Sequence, residues 1–338
     1  MGRQPRAAAR PGRRYLSVVA RARRILRLPL RFLGLAVAIL GLGLLLAGWQ
    51  YHRDPLPQLD AGLAGLRLTE QLEYPVVTAS GEARNYRELT LEGAREGPLR
   101  LTLSLPSGKT GPLPVLVVLG GLEVGRESLK YVEVHGQNVL VALQYPRSPA
   151  YWYEGLPITK LAQIRAAVVA IPSRTASVLE WLRTQPWADR DRINLLGYSF
   201  GAIFVPSSAR LAEIHGIPLR SLVMAYAGTD VPELLTTNAK LRPVFLRKPA
   251  AWLAGAMIRP IEPALHLPHL RQEALFVNGL RDEMVPLPLA RRMHALHGGK
   301  RTVIELDALH MDPKRPELTR EIVRRSWEWL VARGAANP

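Results

Sequence analysis

Apolar and polar positions follow two regimes along the chain. From Phe32 to Trp49 the stretch FLGLAVAILGLGLLLAGW carries no charge and no strong polar group. As a helix it would span about 27 Å at ~1.5 Å per residue, close to the ~30 Å hydrocarbon core of a bilayer. Residues 50–80, rich in Pro, Leu and Gly, read as a linker or lead-in. Beyond them, short apolar runs alternate with helix-length segments. Leu99–Leu105 alternates as a half-buried antiparallel strand does. Pro114–Leu119 and Val139–Leu143 are continuous apolar runs, and Ile193–Leu196, Leu219–Ala225, Ala274–Val277 and Val303–Leu306 read as further strands. Runs of this kind suit strands covered on both faces. Leu161–Arg183 and Pro316–Arg333 have helical length and spacing, and Pro186–Asp191 reads as a turn. Strands alternating with helices predict an α/β domain over 81–335 with a mostly parallel sheet. Residues 231–272, with six prolines and Trp252, break that rhythm. They read either as a lid over a site or as ordinary packing helices.

Charge changes the picture at the N-terminus. Of the net +17, ten charges are arginines within residues 1–31, which hold no Lys, Asp or Glu; the rest of the chain carries +7. Ten arginines ahead of one apolar span fit an uncleaved signal anchor better than a buried core helix. The run is long for a cleaved signal peptide, and no A-x-A pattern follows it promptly. The positive-inside bias then predicts a single pass of the inner (cytoplasmic) membrane, with tail 1–31 cytoplasmic and the body periplasmic or otherwise extracytoplasmic. The arginines would touch anionic lipid headgroups; nucleic-acid binding is the weaker alternative. The chain has no cysteine, which removes disulfides and thiolate metal sites.

Candidate chemistry centres on Gly197-Tyr198-Ser199-Phe200-Gly201, a G-x-S-x-G pattern. An apolar strand, INLL, precedes it, and a helix-like segment, AIFVPSSARLAEI, follows it. A serine nucleophile needs a sharp strand-to-helix turn that small flanking residues leave uncrowded. Other motifs are weaker. Ser107-Gly108-Lys109-Thr110 lacks the glycine spacing of a phosphate loop, and Gly120, Gly121 and Gly125 do not form G-x-G-x-x-G. No histidine and carboxylate spacing suggests a metal, and no cofactor is expected. Tyr151-Trp152-Tyr153 could line an acyl pocket or simply pack.

The serine stretch resembles the nucleophile elbow of the α/β-hydrolase fold family, and the strand rhythm from about 85 to 335 is similar throughout. In that family an acid and a histidine follow the serine in chain order. NGLRDEMVP resembles the acid loop and DALH the base loop. The resemblance therefore implies Ser199 as nucleophile, Asp282 as orienting carboxylate and His310 as general base and acid. Glu283, Asp230 and Asp307 stay open as alternative acids. It also implies an oxyanion hole from the backbone N–H of Phe200 and of the Leu119-Gly120-Gly121-Leu122 loop, with Leu122 first and Gly121 next. Many relatives carry His-Gly there, and this chain has Leu-Gly-Gly. The expected activity is hydrolysis of a carboxylic ester or thioester, with a small or lipid-like acyl ester as substrate. A serine peptidase, an acyltransferase and a degenerate hydrolase serving as a membrane-bound binding module are the alternatives.

Overall fold

The computed structural model describes residues 52–108, 111–147, 157–236, 247–312 and 314–338, with scattered helical positions between 34 and 49. It divides into Met1–Arg53 and Asp54–Pro338. The basic tail 1–31 and eight of the eighteen positions of the apolar span 32–49 lie outside the described residues. So do Tyr151, Trp152 and Tyr153, and residues 237–246 of the expected lid. Among the described residues, no helix is long and apolar enough to cross a membrane.

The unit Asp54–Pro338 is built on one nine-stranded sheet. In chain order the strands are β1 Arg67–Val77, β2 Ala83–Glu92, β3 Leu99–Pro106, β4 Leu113–Leu119, β5 Val139–Leu143, β6 Ala188–Tyr198, β7 Ser221–Ala225, β8 Glu273–Gly279 and β9 Arg301–Leu306. Their spatial order is β1-β2-β3-β5-β4-β6-β7-β8-β9. The pairs from β1 to β3, and β3 with β5, are antiparallel. Every pair from β5 across to β9 is parallel. All parallel strands thus end at one edge of the sheet, and loops leaving that edge share a rim.

Alternation along the buried strands feeds two cores. Val115, Val117 and Leu119 of β4 face one core, which α1 (Pro157–Arg183) and α2 (Val205–Ile214) cover with residues such as Val168, Leu179, Val205 and Leu211. Leu116 and Val118 face the other, closed by Ile322, Trp329 and Leu330 of the terminal helix Pro316–Ala332. Covering both faces explains why these strands read as unbroken apolar runs.

The lead-in expected over 50–80 contains a strand. β1 pairs only with β2, and Arg67–Glu73 are exposed one after another. A strand wet on both faces has no apolar alternation to announce it. The segment read as a lid or packing helices is helical between β7 and β8. It comprises α3 (Val231–Thr236), α4 (Arg247–Ile258) and three 3₁₀ turns. The half-buried Glu262 carboxylate ties down its entry by accepting the N–H groups of Asp230 and Val231 at 2.9 and 2.8 Å.

The turn after β6 is held by contact with β4. Leu119 pairs in register with Gly197. A Cβ on Gly197 would come within 2.5 Å of Ala202 Cα. A Cβ on Gly201 would overlap the Leu119 carbonyl and lie 2.7 Å from the Gly120 oxygen. Backbone cannot yield there as a flexible side chain could. Gly201→Ala is therefore expected to cost about 3 kcal/mol by overpacking. Gly65→Ala is the control, because nothing lies within 4 Å of its position. Urea unfolding of the two variants checks this; equal stability would refute the contact argument.

His135, His266, His294 and His297 are buried, and the first three are the most strongly affected. Burial pushes each of those three down from 6.5 to about 4. The unfolded chain takes up these protons near 6.5, whereas the folded chain resists until about 4. Stability should therefore be complete above pH 6.5 and fall with pH through that window, by about 1.4 kcal/mol per pH unit for each histidine. The expected outcome is a lower urea midpoint at about pH 5 than at about pH 7; an unchanged midpoint contradicts it.

Candidate active site

Four loops leave the same edge of the sheet, after β6, β7, β8 and β9. Ser199 follows β6 directly and opens a 3₁₀ segment, Ser199–Phe204, that runs into α2. Its φ is +51°. A non-glycine residue in that region is strained by about 1–3 kcal/mol. The strain is what turns the side chain out of the strand end while the chain reverses into the helix. Phe200 packs its ring edge-on against Tyr145 and Phe204, with centroids 5.3 and 5.0 Å apart, so the residue after the serine is anchored from inside.

Asp282 lies on the loop after β8. Its side chain is 1% exposed. One oxygen, Oδ1, accepts the backbone N–H groups of Met284 at 2.8 Å and Val285 at 2.9 Å. That leaves Oδ2 aimed at His310, whose Nδ1 lies 2.7 Å away. A carboxylate oxygen so placed accepts, so Nδ1 carries the hydrogen and Nε2 presents a lone pair. Nε2 lies 2.8 Å from Ser199 Oγ. The hydroxyl can therefore donate to a nitrogen able to take its proton. The loops carrying the acid and the imidazole are stitched together. Leu280 N–H donates to the Leu306 carbonyl at 2.7 Å, and Arg281 N–H to the Ala308 carbonyl at 3.1 Å.

The structure thus brings Ser199, Asp282 and His310 into one hydrogen-bonded line. The alternative acids are engaged elsewhere or lie outside the line. Asp230 pairs with Arg292 at 2.5 Å and Asp307 with Arg281 at 2.7 Å, and Glu283 is exposed. The loop holding Gly121 and Leu122 starts beside the elbow, since β4 and β6 are paired neighbours. It turns back at once: the Gly121 carbonyl accepts the N–H groups of Val124 and Gly125 at 3.2 and 3.0 Å. The Gly120 carbonyl accepts the Tyr145 hydroxyl at 2.5 Å. Leu122 is half-buried against the core. With their carbonyls turned into the protein, Gly120 and Gly121 are fixed parts of the rim rather than free loop.

Sequence reading passed over Tyr226, the residue after β7. Its ring meets the His310 ring edge-on, with centroids 5.5 Å apart and an interplanar angle of 81°. Its φ is +58°, and its hydroxyl is buried with no partner among the described residues. Burial, then the nearby Asp282 charge, pushes that hydroxyl up to about 12. The only trace of it in the sequence is an aromatic residue ending an apolar run.

No family model matches the chain. Esterase FrsA of Yersinia pestis (strain Pestoides F) is 28% identical over 193 residues, which cover 54% of this chain and 42% of that esterase. Esterase FrsA of Yersinia pseudotuberculosis serotype O:1b (strain IP 31758) matches to the same extent. The chain thus spans less than half the length of the curated relatives it matches. Among solved structures, acetyl xylan esterase 1 from Thermoanaerobacterium sp. JW/SL YS485 superposes with a TM-score of 0.58 at 17% identity, covering 82% of this chain and 93% of that one. The acylaminoacyl peptidase of Pyrococcus horikoshii gives 0.56 at 14% identity, over 79% of this chain and 48% of that one. At such identities the likeness is one of architecture: this chain has the α/β-hydrolase fold, with a mostly parallel central sheet.

Proposed function

We propose that the protein is a serine hydrolase of carboxylic esters or thioesters, acting through Ser199, His310 and Asp282. The observation that carries this reading is the line Ser199 Oγ, His310 Nε2, His310 Nδ1, Asp282 Oδ2, with links of 2.8 and 2.7 Å. The partial match to esterases supports it. Ser199 Oγ attacks the ester carbonyl while His310 Nε2 takes its proton. Asp282 keeps the imidazole in the required tautomer and stabilises it once it is charged. The negative oxygen of the tetrahedral species lies against backbone N–H groups, with Phe200 and Leu122 as donors and Gly121 as the neighbouring candidate. The start of the 3₁₀ segment and α2 adds the positive end of a helix there. His310 then protonates the departing alcohol or thiol. Water, deprotonated by the same nitrogen, releases the acyl group from Ser199. The substrate in this reading is a small or lipid-like acyl ester.

The wild type should be labelled by a fluorophosphonate probe and should hydrolyse p-nitrophenyl esters. Ser199→Ala should do neither. Asp282→Asn should lower kcat by about 10³–10⁴-fold, because the wrong tautomer is then held. An unlabelled wild type would instead favour a binding module on a hydrolase frame. Labelling with activity on an amide but not on esters would move the assignment to a peptidase.

In the same proposal, residues 32–49 anchor the protein in the inner membrane. Tail 1–31 then stays cytoplasmic, against anionic headgroups, and the hydrolase unit lies on the other side. The ten arginines ahead of an eighteen-residue uncharged run support this reading. At the far end of the run, the Arg53 guanidinium sits 4.3 Å from the Trp49 ring centroid. An aromatic ring at that end suits the interfacial belt of a membrane span. Alkaline phosphatase fused to the C-terminus should be active in intact bacteria, because that reporter works only outside the cytoplasm. A fusion that is inactive while a cytoplasmic reporter at the same position is active overturns the orientation.

A further inference from the structure

We infer that Tyr226 is a positioning residue whose ring, rather than its hydroxyl, holds the His310 imidazole in the plane that joins Ser199 to Asp282. The inference rests on the triad reading above and deepens it.

Hydrogen bonds fix the imidazole at its two nitrogens, Nε2 toward Ser199 Oγ and Nδ1 toward Asp282 Oδ2. Two such bonds define an axis but leave the ring free to tilt about it. The missing restraint comes from the side. The Tyr226 ring stands at 81° to the imidazole with centroids 5.5 Å apart, within the edge-to-face range that aromatic pairs prefer. Tilting the imidazole would drive it into the tyrosine or away from it.

The tyrosine is itself tightly placed. Its N–H donates to the Val277 carbonyl at 2.7 Å, tying the end of β7 to β8. Behind the ring lies Gly279, where an added Cβ would come within 3.1 Å of Tyr226 Cε1 and 2.5 Å of the Ala308 carbonyl oxygen. The absence of a side chain at Gly279 lets the ring and the loop before His310 approach together. Three loops, after β7, β8 and β9, thus meet at this ring.

Two features of Tyr226 oppose stability. Its φ of +58° lies in the region that glycine or asparagine would fill more easily. Its hydroxyl is buried without a partner among the described residues. A structural role alone would be served as well by a residue without either cost. The contact with His310 is what an aromatic ring at this position adds.

The experiment separates ring from hydroxyl and positioning from folding. Tyr226→Phe keeps the ring and removes the orphaned group. It should retain wild-type kcat and KM on p-nitrophenyl acetate and melt at a higher temperature. Tyr226→Leu removes the ring plane. It should lower kcat by about 100-fold with KM unchanged, the expected result of misplacing a catalytic group by a fraction of an ångström to an ångström. Fluorophosphonate labelling should slow in the same proportion. Tyr226→Asn carries the same test on a residue that accepts the left-handed backbone, should the leucine variant fail to fold. Wild-type turnover by the leucine or asparagine variant overturns the inference. So does a phenylalanine variant as impaired as leucine, since the hydroxyl would then be the working group. A raised KM at constant kcat also overturns it, because the ring would then be binding substrate. A wild type that neither labels nor turns over sinks the triad reading itself, and this inference with it.

Discussion

The site depends on how closely the turn after β6 is pressed against the end of β4. Gly201 lies so near the Leu119 and Gly120 carbonyls that no other residue fits without moving backbone. Gly197 is pinned in the same way against Ala202 and Val205. With both flanks fixed, Ser199 has little choice but the left-handed conformation at +51°. The strain is sustained because β4, β6 and β7 are buried around it and pair in register. The 2.8 Å contact with His310 is one outcome of that press. The other is the start of a 3₁₀ segment and helix directly at the serine.

Strain is not confined to the serine. Of the non-glycine residues with positive φ, Ser199, Tyr226 and Asp230 all lie just past the ends of neighbouring strands β6 and β7. Each is held by something specific. Ser199 is held by the two glycines and Tyr226 by the Val277 carbonyl. Asp230 is held by its N–H bond to Glu262 and its ion pair with Arg292. A rim of this kind trades local backbone comfort for fixed side-chain directions. Parallel pairing makes the trade possible, because it delivers consecutive strand ends to one edge with their spacing already set by the sheet.

How much of this was legible in the sequence follows from where the physical signal sits. Ser199, Asp282 and His310 could be read because each lies in a short loop punctuated by glycine, proline or an apolar run, in the chain order the fold requires. The buried strands β4, β5 and β7 could be read because both their faces are covered. β1 could not, because Arg67–Glu73 are wet on both faces and carry no period. Tyr226 could not for a different reason. Its importance lies in a contact with a residue 84 positions later, made through a glycine at 279, and no local pattern encodes that convergence. The loop of Gly121 and Leu122 lies between these cases. Its glycines mark a turn, but only the contact of Gly201 with the Leu119 carbonyl shows that the turn begins against the elbow.

The acid arm shows why position rather than composition decides which carboxylate can serve. Asp282, Glu283, Asp230 and Asp307 are all near the rim along the chain. Only Asp282 has one oxygen held by two backbone N–H groups and the other left for an imidazole nitrogen. A carboxylate held at one oxygen cannot swing, so its remaining oxygen acts as a fixed acceptor. That acceptor determines which imidazole nitrogen bears hydrogen, and so which one is free to receive the serine proton. Asp307 and Asp230 are drawn off by Arg281 and Arg292. Exposed ion pairs of this sort add little stability. Their consequence here is selective: the two competing aspartates are kept on arginines, and the imidazole meets the Asp282 oxygen whose geometry the backbone has already set.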